Sequence, residues 1–298
     1  MEQVVFGKSD VVQMLVVALL AGEHLLLEDV PGVGKTLAAK ALAHSIDGKF
    51  SRLQFTPDLL PSDITGSMVY RSDRREFEFH PGPIFANVVL ADEINRAPPR
   101  TQSALLEAMS EGSVSIDGVT HPLPQPFIVV ATQNPFEFEG TYALPESQLD
   151  RFLLRTSIGY PDRQWEREVL VTHRDGEPVN QLRSVVNLEA IRVAQTQVRK
   201  VVFEDSLVNY LLDIVAATRS HAEFEYGVST RGALSFYRGC QARAISESRH
   251  FVTPDDIKAL AVATLSHRVV HDSVFQGASR QMIEKQIAAI IDQVAVPV

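Results

Sequence analysis

Two short clusters in this chain have residue types and spacing suited to chemistry on phosphates. The first is Gly34-Lys35-Thr36, at the end of LLLEDVPGVGKT, Leu25 to Thr36. It nearly matches the phosphate-loop pattern G-x-x-x-x-G-K-[ST]. Gly32 and Gly34 let the backbone bend so that its N–H groups face an anion at a helix N-terminus. Lys35 would pair with the β- and γ-phosphates, and the Thr36 hydroxyl would bind Mg²⁺. The second cluster is Asp92-Glu93 in VVLADEINRA. Adjacent residues at a strand end point in different directions. Asp92 could therefore hold the metal shell while Glu93 polarises an attacking water. A solvated acidic turn is the bland alternative for any such pair.

The loop departs from the pattern at its first position, where Asp29 replaces glycine. An aspartate can also make a tight turn, because its side chain bonds nearby backbone N–H groups. Asp29 is read as tolerated at the near edge of the loop, with Pro31 stiffening the rest of it. The candidate nucleotide-binding residues are Pro31, Gly32, Val33, Gly34, Lys35, Thr36 and Leu37, with Asp92. Thr36 and Asp92 are the Mg²⁺ candidates.

Buried elements must hold these clusters. HLLLED is an apolar run ending at the loop, as a buried strand would, and KTLAAKALAHSI after it reads as helix. Val11 to Ala21 reads as an earlier helix ended by Gly22. FANVVLADEI and PFIVVATQNP are two more apolar runs with polar ends. Three buried strands separated by helical stretches predict a mostly parallel sheet covered on both faces. Ligands bind beyond the carboxyl ends of such strands, so Asp92, Glu93 and Asn134 would face one site.

Two hairpins interrupt this core. SVSIDGVTH carries Asp117-Gly118 between alternating runs, a type I′ turn signal. GSMVYRSDRREFEFHPG alternates around a charged turn from Arg71 to Arg75. It is either an ordinary sheet hairpin or a protruding element that touches a partner. The polar stretch RDGEPVNQL, Arg174 to Leu182, marks a boundary, and everything beyond it reads helical. Asn187, Ser229 or Thr230, and Thr253 with Pro254 and Asp256 are the expected helix starts.

The chain has 298 residues, a net charge of -9 and pI ≈ 5.5. That acidity argues against broad nucleic-acid binding, which relies on Lys and Arg at phosphates. Cys240 is the only cysteine, so an intrachain disulfide and a cysteine-rich zinc site are excluded. The run Val11–Ala21 is well short of the roughly 20 residues a membrane helix needs. No targeting segment is apparent, and a reducing cytoplasm fits.

The order LLLEDVPGVGKT, VVLADEINRAPPRTQSALLEAM, ATQNP, LPESQLDRFLLR resembles an AAA+ ATPase, and more closely the MoxR family. The similarity covers nearly the whole chain. DEINRA with PESQLDRF is far more specific than the phosphate loop. The resemblance implies a P-loop NTPase α/β core, a parallel sheet flanked by helices over residues 1–180, and a C-terminal all-α lid over 181–298. It implies hairpin inserts at about 62–83 and 113–122, facing a pore or substrate. Asn134 matches the sensor-1 position and would orient the attacking water. Arg151 in LDRF matches the arginine finger that completes a neighbour's site; Arg155 is a second candidate that could share a helix face with it or form a surface ion pair. Arg231 in GVSTRGA matches sensor 2, near the start of a lid helix. Gly7, in Val5-Phe6-Gly7-Lys8, resembles the segment near the adenine. Arg96 could face a subunit boundary or be a surface charge.

The expected activity is MgATP hydrolysis between core and lid, in a ring of the hexameric kind. The family's role is chaperone-like: maturation of protein complexes, including cofactor or metal insertion, often with von Willebrand factor A domain partners. Two other readings share the core: a nucleotide-gated switch with little turnover, and a DNA-associated motor. The acidic charge disfavours the latter.

Overall fold

The structure is a computed structural model that describes residues 1–135, 140–172, 174, 176–271 and 280–297. Residue 175, inside the expected boundary stretch, lies outside the described residues. In chain order the elements are α1 (Ser9–Ala21), β1 (Leu25–Glu28), α2 (Lys35–Ser45), β2 (Phe50–Gln54), α3 (Pro61–Thr65), β3 (Gly66–Arg71), β4 (Glu76–Pro81) and β5 (Val88–Asp92). Then come α4 (Pro99–Glu111), β6 (Ser113–Ile116), β7 (Val119–Pro122), β8 (Ile128–Gln133), α5 (Glu146–Leu149), β9 (Leu154–Thr156) and α6 (Arg163–Thr172). The remainder is α7 (Leu188–Val198), α8 (Asp205–Arg219), β10 (Phe224–Tyr226), α9 (Thr230–Ser246), α10 (Pro254–Leu265), β11 (Val270–His271) and α11 (Arg280–Gln293).

Backbone packing divides the chain into two compact units. The first comprises Met1–Leu15, His24–Leu144 and Thr156–Arg192; the second comprises Val16–Glu23, Pro145–Arg155 and Val193–Val298. The division is thus less simple than a single cut near residue 180. Residues 16–23 and 145–155 group with the helical unit, and the first unit runs on to Arg192.

A parallel sheet ordered β2-β5-β8-β1-β9 is flanked by helices, and its strands β2, β5, β8 and β1 belong to the first unit. The pairs β2/β5, β5/β8 and β8/β1 are all parallel. The three predicted strands are its centre. Leu25 to Leu27, Val88 to Ala91 and Ile128 to Ala131 are wholly buried, as strands covered on both faces must be. Two strands went unread. β2, FSRLQ, buries only Leu53 fully, so it lacks a continuous apolar run. β9 is only three residues long. His24 enters β1 between two backbone groups: its Nδ1 accepts from Val129 N, and its Nε2 donates to Met109 O. Burial holds that imidazole at a pKa of about 4, so it is neutral.

The hairpins stand apart from the central sheet. β3–β4 and β6–β7 each form their own two-stranded antiparallel sheet. Thus β3–β4 is a two-stranded hairpin that does not join the central sheet. Tyr70 and Phe77 are exposed on it, with ring centroids 5.3 Å apart. Phe79 of β4 stacks on His121 of β7 at 4.0 Å, so the two hairpins brace each other. Asp117 and Gly118 both have positive φ, 50° and 80°, as a type I′ turn requires.

In the second unit α8, α9, α10 and α11 pack in successive pairs around Tyr210, Ile214, Phe236, Leu260 and Ile287. It is not entirely helical, as the sequence reading had it. β10 and β11 pair antiparallel; strands of three and two residues leave no periodic signal. The expected caps are present. Asn187 Oδ1 accepts from Ala190 N, Ser229 Oγ accepts from Gly232 N, and Asp256 Oδ2 accepts from both Thr253 N and Thr253 Oγ1. Among the described residues, no helix is long and apolar enough to cross a membrane.

Asp256 is the unit's most heavily used carboxylate. It is buried, Arg249 donates to both its oxygens at 2.6 and 2.8 Å, and Arg243 lies 3.3 Å away. Burial raises its pKa, but hydrogen bonds from Arg249 and Thr253 outweigh that and hold it below the usual value. Its stabilisation is therefore present above the unfolded carboxyl's pKa and is lost as pH falls through the lower folded one. Asp256→Ala is expected to cost about 2–3 kcal/mol, because it removes the charged hydrogen bonds from Arg249 and leaves both guanidinium groups with Glu247 alone. Chemical denaturation at neutral pH measures this.

Candidate active site

The phosphate loop leaves β1 and enters α2 through two glycines in left-handed conformations, Gly32 (φ 84°) and Gly34 (φ 97°). A Cβ at either would meet nothing within 4 Å. Conformation, not crowding, therefore demands glycine here, and the space above the loop is open. Gly34 is the N-cap of α2 and supplies no side-chain cap. The first-turn N–H groups thus face the cavity at the positive end of the helix dipole. No acidic residue occupies that turn. Lys35 is buried, and its Nζ donates to the Asp29 carbonyl at 2.8 Å.

The acidic pair sits at the carboxyl end of β5. Asp92 Oδ1 accepts from Thr132 Oγ1 at 2.6 Å, and Oδ2 accepts from Arg52 Nη2 at 2.6 Å. Glu93 turns into the left-handed region (φ 58°, ψ 49°), a conformation that costs on the order of 1 kcal/mol for a residue with a Cβ. Thr132 Oγ1 accepts from Glu93 N at 2.9 Å and so braces that turn. Glu93 Oε2 accepts from Gln54 Nε2 at 2.7 Å and lies 3.1 Å from Arg96 Nε. Arg52 Nη2 also donates to Gln54 Oε1 at 3.2 Å. The two carboxylates are therefore linked through the side chains of β2. Arg96 has its carboxylate partner within its own chain.

Arg52 and Gln54 were missed by the sequence reading. The available signal was two long polar residues at i, i+2 on a strand whose other face carries Leu53 and Phe55. Parallel pairing of Gln54 with Asp92 brings them to the acids.

One cavity of about 710 Å³ in the first unit joins these parts. Pro31 to Leu37, Arg52, Gln54, Asp92 and Glu93 line it. Val4, Val5, Phe6, Ile158, Tyr160, Pro161, Val169 and Leu170 add a largely apolar set to the same wall. Lys8, Lys40, Glu166 and Glu177 add charged groups to its wall. All the loop candidates, Pro31, Gly32, Val33, Gly34, Lys35, Thr36 and Leu37, are on this wall with Asp92 and Glu93. Gly7 is not. It has φ 66°, and a Cβ there would lie 2.3 Å from the Trp165 ring. Trp165 in turn stacks on Phe6, with centroids 6.2 Å apart. Gly7 thus makes room behind the apolar wall, while its neighbours Phe6 and Lys8 face the cavity.

Asn134 follows the last residue of β8 and is buried. In the second unit, Arg151 lies half-buried in the turn after α5. Arg155 shares no helix face with it, because α5 ends at Leu149 and Arg155 belongs to β9. Arg155 Nη2 is 3.4 Å from both the backbone oxygen and the Oγ of Ser266. Arg231 is exposed in the first turn of α9, two residues after its Ser229 cap.

Known proteins resemble this chain in sequence and fold. Residues 24–154 match the family model described as ATPase family associated with various cellular activities (AAA), and residues 216–293 match an AAA lid domain. YeaC of Bacillus subtilis, itself uncharacterized, is 48% identical over 97% of this chain and 91% of its own. Chaperone MoxR1 of Mycobacterium tuberculosis is 40% identical over 99% of this chain and 80% of its own. A crystal structure from Cytophaga hutchinsonii, described provisionally as an ATPase, superposes with a TM-score of 0.89 at 39% identity, covering 99% of this chain and 92% of that one. The chain therefore belongs to the MoxR family of AAA+ ATPases.

Proposed function

We propose that the protein binds MgATP in the cavity of its first unit and hydrolyses it. One observation carries this reading. A single cavity is lined both by apolar side chains suited to a base and by a glycine loop at a helix N-terminus with Asp92 and Glu93. Lys35 and the loop N–H groups grip the β- and γ-phosphates. The donor set suits Mg²⁺, which takes one or two carboxylates and completes its shell with phosphate and water. Thr36 and Asp92 would hold it, and among the described residues no cluster of three acidic or histidine ligands competes. Bound there, the metal would neutralise charge on the phosphates. Glu93 accepts a proton from the attacking water, and Asn134 orients that water. Release of Glu93 from Gln54 and Arg96 is needed before it can do so.

Arg231 acts as the γ-phosphate sensor and Arg151 as the finger donated to a neighbouring protomer of a ring, a hexamer in this reading. The ring remodels client proteins, with the exposed β3–β4 hairpin as its contact. A von Willebrand factor A domain partner, a role in complex maturation or in cofactor or metal insertion, and a cytoplasmic setting belong to the same proposal. Support for the chaperone role is the name of the Mycobacterium relative. Nothing in the acidic composition favours nucleic acid.

Calorimetric titration with MgATP tests the site. Lys35→Ala is expected to weaken binding about ten- to a hundredfold, since it removes hydrogen bonds from a charged donor. Unchanged affinity would remove the phosphate loop from the account.

A further inference from the structure

We propose that Asp29, which replaces the first glycine of the phosphate-loop pattern, is a positioning residue that anchors the base-facing wall of the cavity and so sets affinity for the nucleoside part of ATP. The inference rests on the nucleotide reading above and deepens it. The sequence alone made Asp29 a tolerated departure. Its carboxylate instead joins two segments. Oδ1 accepts from the adjacent Val30 N at 2.8 Å, the local turn that an aspartate forms readily. Oδ2 accepts from Gly159 N at 2.5 Å, across 130 residues of sequence. A glycine at position 29 could make the turn but not the second bond.

The second bond falls on the part of the cavity that the phosphate loop does not build. Ile158, Tyr160 and Pro161 belong to the apolar set that lines it, and Gly159 lies among them in a left-handed conformation (φ 64°). This segment is outside any helix or strand, so side-chain anchors hold it. The structure supplies two: Asp29 at Gly159 N, and Lys8, whose Nζ donates to Tyr160 O at 2.8 Å. Lys8 also lies on the cavity wall. Asp29 is mostly buried, and a charged acceptor of this kind makes stronger hydrogen bonds than a neutral one. Its own carbonyl receives Lys35 Nζ. One residue thus ties the base wall to the residue that grips the phosphates, without touching the nucleotide through its side chain.

A residue that only shaped the phosphate loop would affect every triphosphate equally. An anchor of the base wall would not. The test titrates Mg-ATP and inorganic Mg-tripolyphosphate separately into wild type, Asp29→Ala and Asp29→Gly by calorimetry, with steady-state hydrolysis alongside. The glycine variant restores the usual loop residue, so it keeps the comparison usable if the alanine variant folds poorly. For both variants, affinity for ATP is expected to fall about tenfold, the scale of one lost hydrogen bond to a charged group, while tripolyphosphate affinity stays within about a factor of two. KM for ATP should rise with kcat nearly unchanged. Equal losses for the two ligands, no loss for either, or a fall in kcat at constant KM would overturn the proposal. A wild-type protein that binds neither ligand would instead sink the nucleotide reading, and this inference with it.

Discussion

Arg151→Ala is expected to lower ATP turnover by about 10³–10⁵-fold, the range associated with a finger that neutralises charge in phosphoryl transfer. The size of the effect reflects the demands of hydrolysis. The transferring phosphoryl group has little covalent chemistry for the protein to perform, so positioned charge supplies most of the rate. Arg151 is well supported for that work. Its neighbour Asp150 accepts from Arg268 Nε at 2.7 Å and from Ser229 Oγ at 3.1 Å. The buried Arg268 guanidinium also donates to the carbonyls of Phe152 and Leu153 at 2.7 and 3.0 Å. The backbone of the turn that carries Arg151 is thus held on both sides. ATP binding by each protomer should survive the substitution, because the residues lining the nucleotide cavity are untouched. Steady-state phosphate release and calorimetry on the same preparation separate the two quantities.

Glu93→Gln is expected to lower turnover by about 10²–10⁴-fold, the usual contribution of a positioned general base. Glutamine keeps the length of the side chain, and its amide oxygen can still accept from Gln54. It cannot take a proton from water. Binding should stay within about a factor of three, since the phosphate grip is unaltered. The left-handed backbone at residue 93 also matters. It points the carboxylate away from Asp92 and toward Gln54 and Arg96, so the two acids of one dipeptide serve different partners. Phosphate release under saturating ATP is the measurement. A Glu93→Gln protein with wild-type turnover would assign the base elsewhere.

The conformation of the glycine loop was legible because it is local. Gly32, Gly34, Lys35 and Thr36 stand within five residues, and the helix after them sets their geometry. The three central strands were legible for a related reason: burial on both faces forces continuous apolar runs, as in Leu25 to Leu27. The supporting shell was not legible. Arg52 and Gln54 reach the acids through the parallel register of β2 with β5, and no local pattern encodes which strand lies beside which. Asp29 finds Gly159 across most of the core. The left-handed turn at Glu93 depends on the Thr132 hydroxyl of β8, which also holds Asp92. The short strands β9, β10 and β11 were lost because two or three residues carry no periodicity. Arg151 and Arg231 drew attention only through the family resemblance; what the fold adds is the pair of anchors around Asp150 and the Ser229 cap beside Arg231.

The central claim is that each hydrolytic centre takes its base from one protomer and its finger from the next. Mixing Glu93→Gln and Arg151→Ala proteins tests it most directly. Each alone is expected to be nearly inactive. In a mixed ring, an Arg151→Ala protomer keeps its Glu93 and can receive Arg151 from a Glu93→Gln neighbour. The account predicts that phosphate release in an equimolar mixture rises far above the sum of the separate rates, and falls away when either variant is in large excess. Co-assembly with no recovered turnover at any ratio would contradict it.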